Sequence, residues 1–200
     1  RSEPPVSVAR GRRPLSAWDI VAVLLVLGLL VLLAAGSRGV LGDLADLTGS
    51  PLSLDPRLLP GYAARTALRM LVALVLSLLF TFGYATLAAK NARAEQLLMP
   101  VLDILQSVPI LGFVSVSVVW FLSLAPGKVL GAELVAIFAI FTSQVWNMTY
   151  SLYASLRTVP RELQEAATSF RFSGWLRFWR LEVPFAVPSL VWNTMMSMSG

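Results

Sequence analysis

Long apolar runs separated by short polar stretches dominate the chain. Five runs without a charged side chain, at 20–37, 70–89, 104–127, 134–156 and 183–200, each hold 18 to 24 residues. A helix crosses a bilayer core with about 20 mostly apolar residues. The pattern therefore predicts five transmembrane helices, at 18–37, 67–89, 97–124, 132–156 and 183–200. The third is expected to begin near Leu97, to include Asp103, and to bend or break at Pro109, whose ring removes a backbone donor. The fold class that follows is an all-α integral membrane protein.

The segments between the runs differ in character. Residues 38–66 hold Gly39, Gly42, Gly49, Pro51, Pro56, Pro60 and Gly61, a composition of turns. A short surface helix fits around 41–47. The 90–96 stretch reads as a short loop, and 125–133 as a turn through Ala125-Pro126-Gly127. The stretch 157–182 is long and patterned.

Composition agrees with lipid as the main solvent. Hydrophobic residues make up 56% of the chain and charged residues 14%, with a mean hydropathy of +0.73. An ordinary soluble domain carries about a quarter charged residues to cover its surface. The chain has no Cys and no His, which removes disulfides, thiolate nucleophiles and the usual ligands and bases of zinc, haem and Ser-His-Asp chemistry. No catalytic residue, metal site or cofactor is expected.

Sixteen Lys and Arg against 11 Asp and Glu leave a net charge of +5. Cytoplasmic loops of membrane proteins collect the basic residues. With residues 1–17 inside, Arg1, Arg10, Arg12, Arg13, Lys90, Arg93, Arg157, Arg161, Arg171, Arg177 and Arg180 are cytoplasmic, eleven in all, against Arg38, Arg57, Arg65, Arg69 and Lys128 outside. The basic excess is thus topological, and no nucleic-acid partner is needed to explain it. Arg10, Arg12 and Arg13 before an apolar run also resemble a signal peptide, but the run is longer than the usual 7–15 or so residues, which favours an uncleaved anchor. The Arg at the start and the apolar run at the end read as a piece of a longer protein.

In 157–182, Thr158 is expected to cap a helix that accepts Pro160 in its first turn. Leu163, Ala166, Ala167 and Phe170 then fall on one helical face, and Glu162 and Glu165 favour its positive amino-terminal end. A second short helix is expected from Ser173, with Trp175, Phe178 and Trp179 on one side and Arg177 and Arg180 reaching toward anionic headgroups. On pattern alone, this is an interfacial hairpin joining two spans.

Two stretches carry a resemblance. Glu165-Ala166-Ala167, followed by Leu181-Glu182-Val183-Pro184, resembles the EAA loop of inner-membrane permease subunits of binding-protein-dependent ABC importers. The stretch Leu102-Asp103-Ile104-Leu105-Gln106-Ser107-Val108-Pro109-Ile110-Leu111-Gly112-Phe113 resembles the Pro-containing third span of that family. The resemblance covers about residues 62–200 and is nearest to the branch for nitrate, sulfonate and taurine. It is similar to duplicated anion permeases in which two halves share one polypeptide. It implies a bacterial inner-membrane, multi-pass subunit without ATPase activity of its own. It also implies partners: a cytoplasmic ABC ATP-binding subunit, an extracytoplasmic solute-binding protein, and a second permease half or homodimer partner. Leu163, Glu165, Ala166, Ala167, Phe170, Arg171 and Gly174 become the expected contact with the ATPase. Arg171 departs from the family, which has Gly at that place; Gly174 is expected to take the turn instead.

Gln144, Asn147 and Ser151 make one polar stripe within the spans, and Ser189, Asn193 and Ser197 make another. Helix–helix hydrogen bonding explains such stripes as well as a solute pathway does. Asp103 is costly in lipid and thus of interest, although snorkelling or capping accounts for it equally. A secondary carrier or channel working without ATP is the alternative reading, and it leaves the pattern of 157–182 unexplained.

Overall fold

Pro60 and Gly61, whose residue types suggest turns, lie in the first turn of a long helix. In the computed structural model, which describes residues 55–199 together with the helical positions Leu27, Gly28, Val31 and Ala34, α1 spans Leu59–Lys90. Pro60 is accepted because first-turn N–H groups lack helical partners. Ahead of it, the Asp55 carboxylate accepts from Arg57 N at 3.0 Å and its carbonyl from Leu58 N at 3.0 Å. The expected loop 38–66 is therefore helical from Leu59 onward. Apart from the four positions named, the expected first span at 18–37, the segment 1–17 and residues 38–54 lie outside the described residues.

The expected loop at 90–96 shrinks to a single residue. Asn91 separates α1 from α2 (Ala92–Ser107), and its side-chain oxygen accepts from Arg93 N at 3.0 Å and Ala94 N at 3.4 Å, capping the new helix. Val108 and Pro109 then end α2, and α3 follows at Ile110–Leu124. Val108 is extended, as a residue before proline prefers. The axes of Ala92–Ser107 and Gly112–Leu124 differ by 94°, so the stretch 97–124 is two helices with the break at Pro109, the residue where a bend or break was expected. The turn at 125–133 tightens as well: Gly127 takes a φ of +72°, Lys128 N donates to Ala125 O at 3.2 Å, and α4 (Val129–Arg157) begins at once. Two short helices follow, α5 (Arg161–Ser169) and α6 (Gly174–Arg177), then a π turn over Phe178–Glu182 and α7 (Val183–Ser199). No strand occurs among the described residues.

The packing rests on small side chains. Ala73, Ser77, Thr81 and Ala85 are buried at four-residue intervals on α1, a spacing that keeps them on one face and lets helix backbones approach closely in lipid. Thr81 Oγ1 meets Thr149 Oγ1 of α4 at 3.1 Å. Nearer the start of both helices, Glu133 of α4 pairs with Arg65 at 3.1 Å and with Arg69. Partners thus rise together in number, and α1 and α4 run parallel. The chain must return between them to the end where α1 began, so α2 and α3 together traverse the molecule once, as a broken span. A side chain at Gly131 would stand 3.2 Å from Leu122 Cα and from Phe121 O, so α3 packs onto α4 through that glycine. Ala85, Met148, Leu152, Ala186 and Leu190 form the core where α1, α4 and α7 meet.

Outward-facing apolar side chains are abundant, among them Leu79, Val116, Val119, Trp120 and Trp192. Among the described residues, α1 and α4 are long and apolar enough to cross a membrane, and the α2–α3 pair makes a third crossing if counted as one span. The sequence pattern expected a further crossing at 183–200. α7 occupies that stretch as a helix that follows directly on the π turn, from Val183 to Ser199.

Candidate functional site

The patterned stretch folds as a helical hairpin outside the bundle. Thr158 does not cap α5; it closes α4, donating its hydroxyl to Ala154 O at 2.9 Å, because its backbone already belongs to the end of that helix. Pro160 occupies the cap position of α5, and the Gln164 side-chain amide donates to Val159 O at 3.0 Å. At the other end, Phe172 N donates to Ala167 O at 3.0 Å and Arg171 N to Thr168 O at 2.8 Å. This is a Schellman closure, which requires a left-handed residue between the two turns. Arg171 supplies it, with φ +52°. Gly174, expected to take the turn, instead starts α6, whose cap is the Ser173 hydroxyl accepting from Leu176 N at 3.3 Å.

The expected contact face divides. Ala167 is only 4% exposed and turns into the chain itself, whereas Phe170 is 76% exposed and Leu163, Glu165 and Ala166 also face outward. Three apolar positions in a nine-residue helix, with Phe170 just past its end, do not all point the same way once the hairpin folds back. Beside them a polar hollow of about 540 Å³ lies between α5 and α6, edged by Arg161, Gln164, Glu165, Thr168, Ser169 and Arg177.

Glu182 anchors the hairpin to the bundle. This buried carboxylate pairs with Lys90 at the end of α1 and with Arg177 of α6 at 3.2 Å. The Lys90 ammonium also lies 5.6 Å from the centroid of the Phe178 ring. Sequence reasoning missed this junction, because the partners lie 92 residues apart.

The polar stripes separate too. Ser151 and Ser189 hydroxyls meet at 2.8 Å, and the Asn193 amide donates to Ser151 Oγ at 3.1 Å and Ser189 O at 3.0 Å. These three join α4 to α7. Gln144 is buried and its Oε1 has no partner among the described residues, as is true of Ser197 Oγ. Asn147 faces outward. Asp103 accepts from the Tyr150 hydroxyl and from Gln106 Nε2 at 3.2 Å, tying α2 to α4. The buried hydroxyls of Ser77, Thr81 and Thr149 also went unnoticed, although their i, i+4 spacing beside alanines was a visible signal.

Comparison with known families adds a match over residues 81–200 to the binding-protein-dependent transport system inner membrane component. The chain belongs to that family. No curated protein matches the chain. The matched part runs from Thr81 through the broken span, α4, the hairpin and α7. This permease component is therefore a transmembrane transport protein of ABC type, a class located in the inner membrane of bacteria. Permeases of the family work with an ATPase and a binding protein. Membrane transport, not catalysis, is the family's role.

Proposed function

We propose that this permease component forms the solute pathway of an ATP-driven importer, with α5 as its contact with a separate cytoplasmic ATPase. The supporting observation is the mounting of α5. Its backbone is fixed by the turn at Arg171 and by the Gln164–Val159 hydrogen bond, yet Leu163, Ala166 and Phe170 extend away from the bundle. A rigid short helix with exposed apolar side chains suits recognition in a groove. Glu182 gives such a contact a path inward, through Lys90 to α1. In this reading residues 1–17 and 157–182 are cytoplasmic, an extracytoplasmic binding protein delivers the solute, and a second permease half or a homodimer partner completes the pathway. The solute is a small anion such as nitrate, sulfonate or taurine. Support comes from the sequence resemblance and from the buried hydroxyl of Ser197, a neutral donor with no partner among the described residues.

Ala166→Asp tests the contact. It places a carboxylate on the outward side of α5, where an unpaired charge at an interface costs more than about 2 kcal/mol, roughly thirtyfold in binding. The expected result is normal insertion, with loss of ATPase co-purification and of solute uptake. Glu165→Ala should change either by no more than a few-fold. ATPase retention and uptake unchanged in Ala166→Asp would make the hairpin a linker and favour a carrier or channel independent of ATP.

A further inference from the structure

A groove of about 490 Å³ runs along the end of α1 beside the π turn. Phe82, Leu87, Phe178 and Trp179 wall it, and Gly83 leaves it open: a side chain there would meet nothing within 4 Å. Phe82 and Trp179 stack with ring centroids 6.4 Å apart, so the two walls are fixed to one another. The groove is apolar along its length and charged at one end. Lys90 stands at that end, and Thr86, also in the lining, has a buried hydroxyl with no partner among the described residues.

The charge around this end is unbalanced. Lys90 and Arg177 share the single carboxylate of Glu182, and Arg180, next along the π turn, is exposed with no ion pair among the described residues. Trp175 and Trp179 are exposed beside it, and tryptophan favours the level of the lipid headgroups. We propose that this groove binds an anionic phospholipid of the phosphatidylglycerol type, its acyl chain lying over Gly83 along Leu87 and Phe178 and its phosphate at Lys90, with Arg180, the residue after the lining Trp179, adding to the local positive charge. Charge complementarity selects this occupant. A helix of a second copy would fill the apolar length but would leave the excess positive charge unanswered, whereas a lipid phosphate answers both. The inference rests on the membrane location of the chain and not on its coupling to an ATPase.

Native mass spectrometry of the intact transporter, released from nanodiscs of equal phosphatidylglycerol and phosphatidylcholine, reads the bound lipid. The wild-type protein is expected to retain phosphatidylglycerol at least about fivefold over phosphatidylcholine, as a difference of one or two basic side chains at a membrane surface gives. Gly83→Leu puts a side chain into the groove at a position where a Cβ meets nothing within 4 Å, and should abolish retention of both lipids. Arg180→Gln, at an exposed position, should remove the preference for phosphatidylglycerol by about fivefold and leave phosphatidylcholine unchanged; Arg180→Lys should restore it. Equal retention of the two lipids by the wild type, or retention unaffected by Gly83→Leu, overturns the proposal. So does cross-linking between two copies of Gly83→Cys, a unique thiol in a chain without cysteine, because the groove would then be a seam between proteins.

Discussion

Arg171 bears a conformation that its side chain does not favour. A residue with a Cβ pays about 1–2 kcal/mol to sit in the left-handed region, which glycine occupies freely. The two hydrogen bonds that close α5 hold it there. Arg171→Gly should therefore raise resistance to thermal unfolding by about 1 kcal/mol, less whatever the freer unfolded chain costs, while Arg171→Ala should not. A melting series in detergent checks this, and a stability gain from alanine equal to that from glycine would shift the explanation from backbone to side chain. Glu133 shows the opposite situation, a residue well satisfied. Its buried carboxylate answers both Arg65 and Arg69, and removing one member of such a group leaves partly buried charges without a partner. Glu133→Ala should cost roughly 2–3 kcal/mol, against less than about 0.5 kcal/mol for Glu162→Ala on the exposed side of α5. Equal losses in a denaturation assay would mean that the cluster contributes nothing specific.

At the scale of elements, the joints carry the information. Only Asn91 stands between α1 and α2, and Pro109 turns α2 into α3. Gly131 lets α3 cross α4 at close range, where a methyl group would press on the backbone of Leu122 and Phe121. Gly131→Leu should loosen that crossing by about 1–3 kcal/mol through overpacking, seen as faster proteolysis between α3 and α4. Retention of wild-type protease resistance would show that the crossing has room to spare. The hairpin formed by α5 and α6 joins the bundle through Glu182, so motion of α5 has a charged lever on the end of α1. The sequence made this hairpin visible as a pair of short amphipathic segments. It could not say that Ala167 turns inward, because helical periodicity puts residues on a face without saying what that face meets.

Across the whole molecule, the arrangement follows from two parallel helices bridged by a broken one. The parallel run of α1 and α4, fixed by the Arg65–Glu133 and Thr81–Thr149 contacts, puts Arg65, Arg69 and Lys128 at one end of the molecule and Lys90, Arg157 and the hairpin at the other. In the proposed orientation, which the distribution of basic residues favours, the second end is cytoplasmic. Single cysteines at Ser169 and Ser50, introduced into a chain that has none, should react with a membrane-impermeant thiol reagent from opposite sides, Ser169→Cys only from the inside. Labelling of Ser169→Cys from outside would reverse the topology and remove α5 from reach of a cytoplasmic ATPase.

The order of apolar runs was enough to establish a helical membrane protein, since the length of an uncharged run and the thickness of a bilayer are both local quantities. The EAA-like stretch and the region around Pro109 pointed to the permease family for the same reason: each is a short, contiguous string of residues. What tertiary structure alone decided lies between distant residues. The Ser151–Ser189–Asn193 cluster, the Tyr150–Asp103 bond and the Lys90–Glu182–Arg177 junction join helices dozens of positions apart, and no spacing along one helix announces its partner on another. Even the local exception at Arg171 needed the fold. Sequence preference assigned that turn to Gly174, but the cost of a left-handed arginine is small beside the carbonyls of α5 that its position satisfies, and the register of the hairpin was set by those hydrogen bonds.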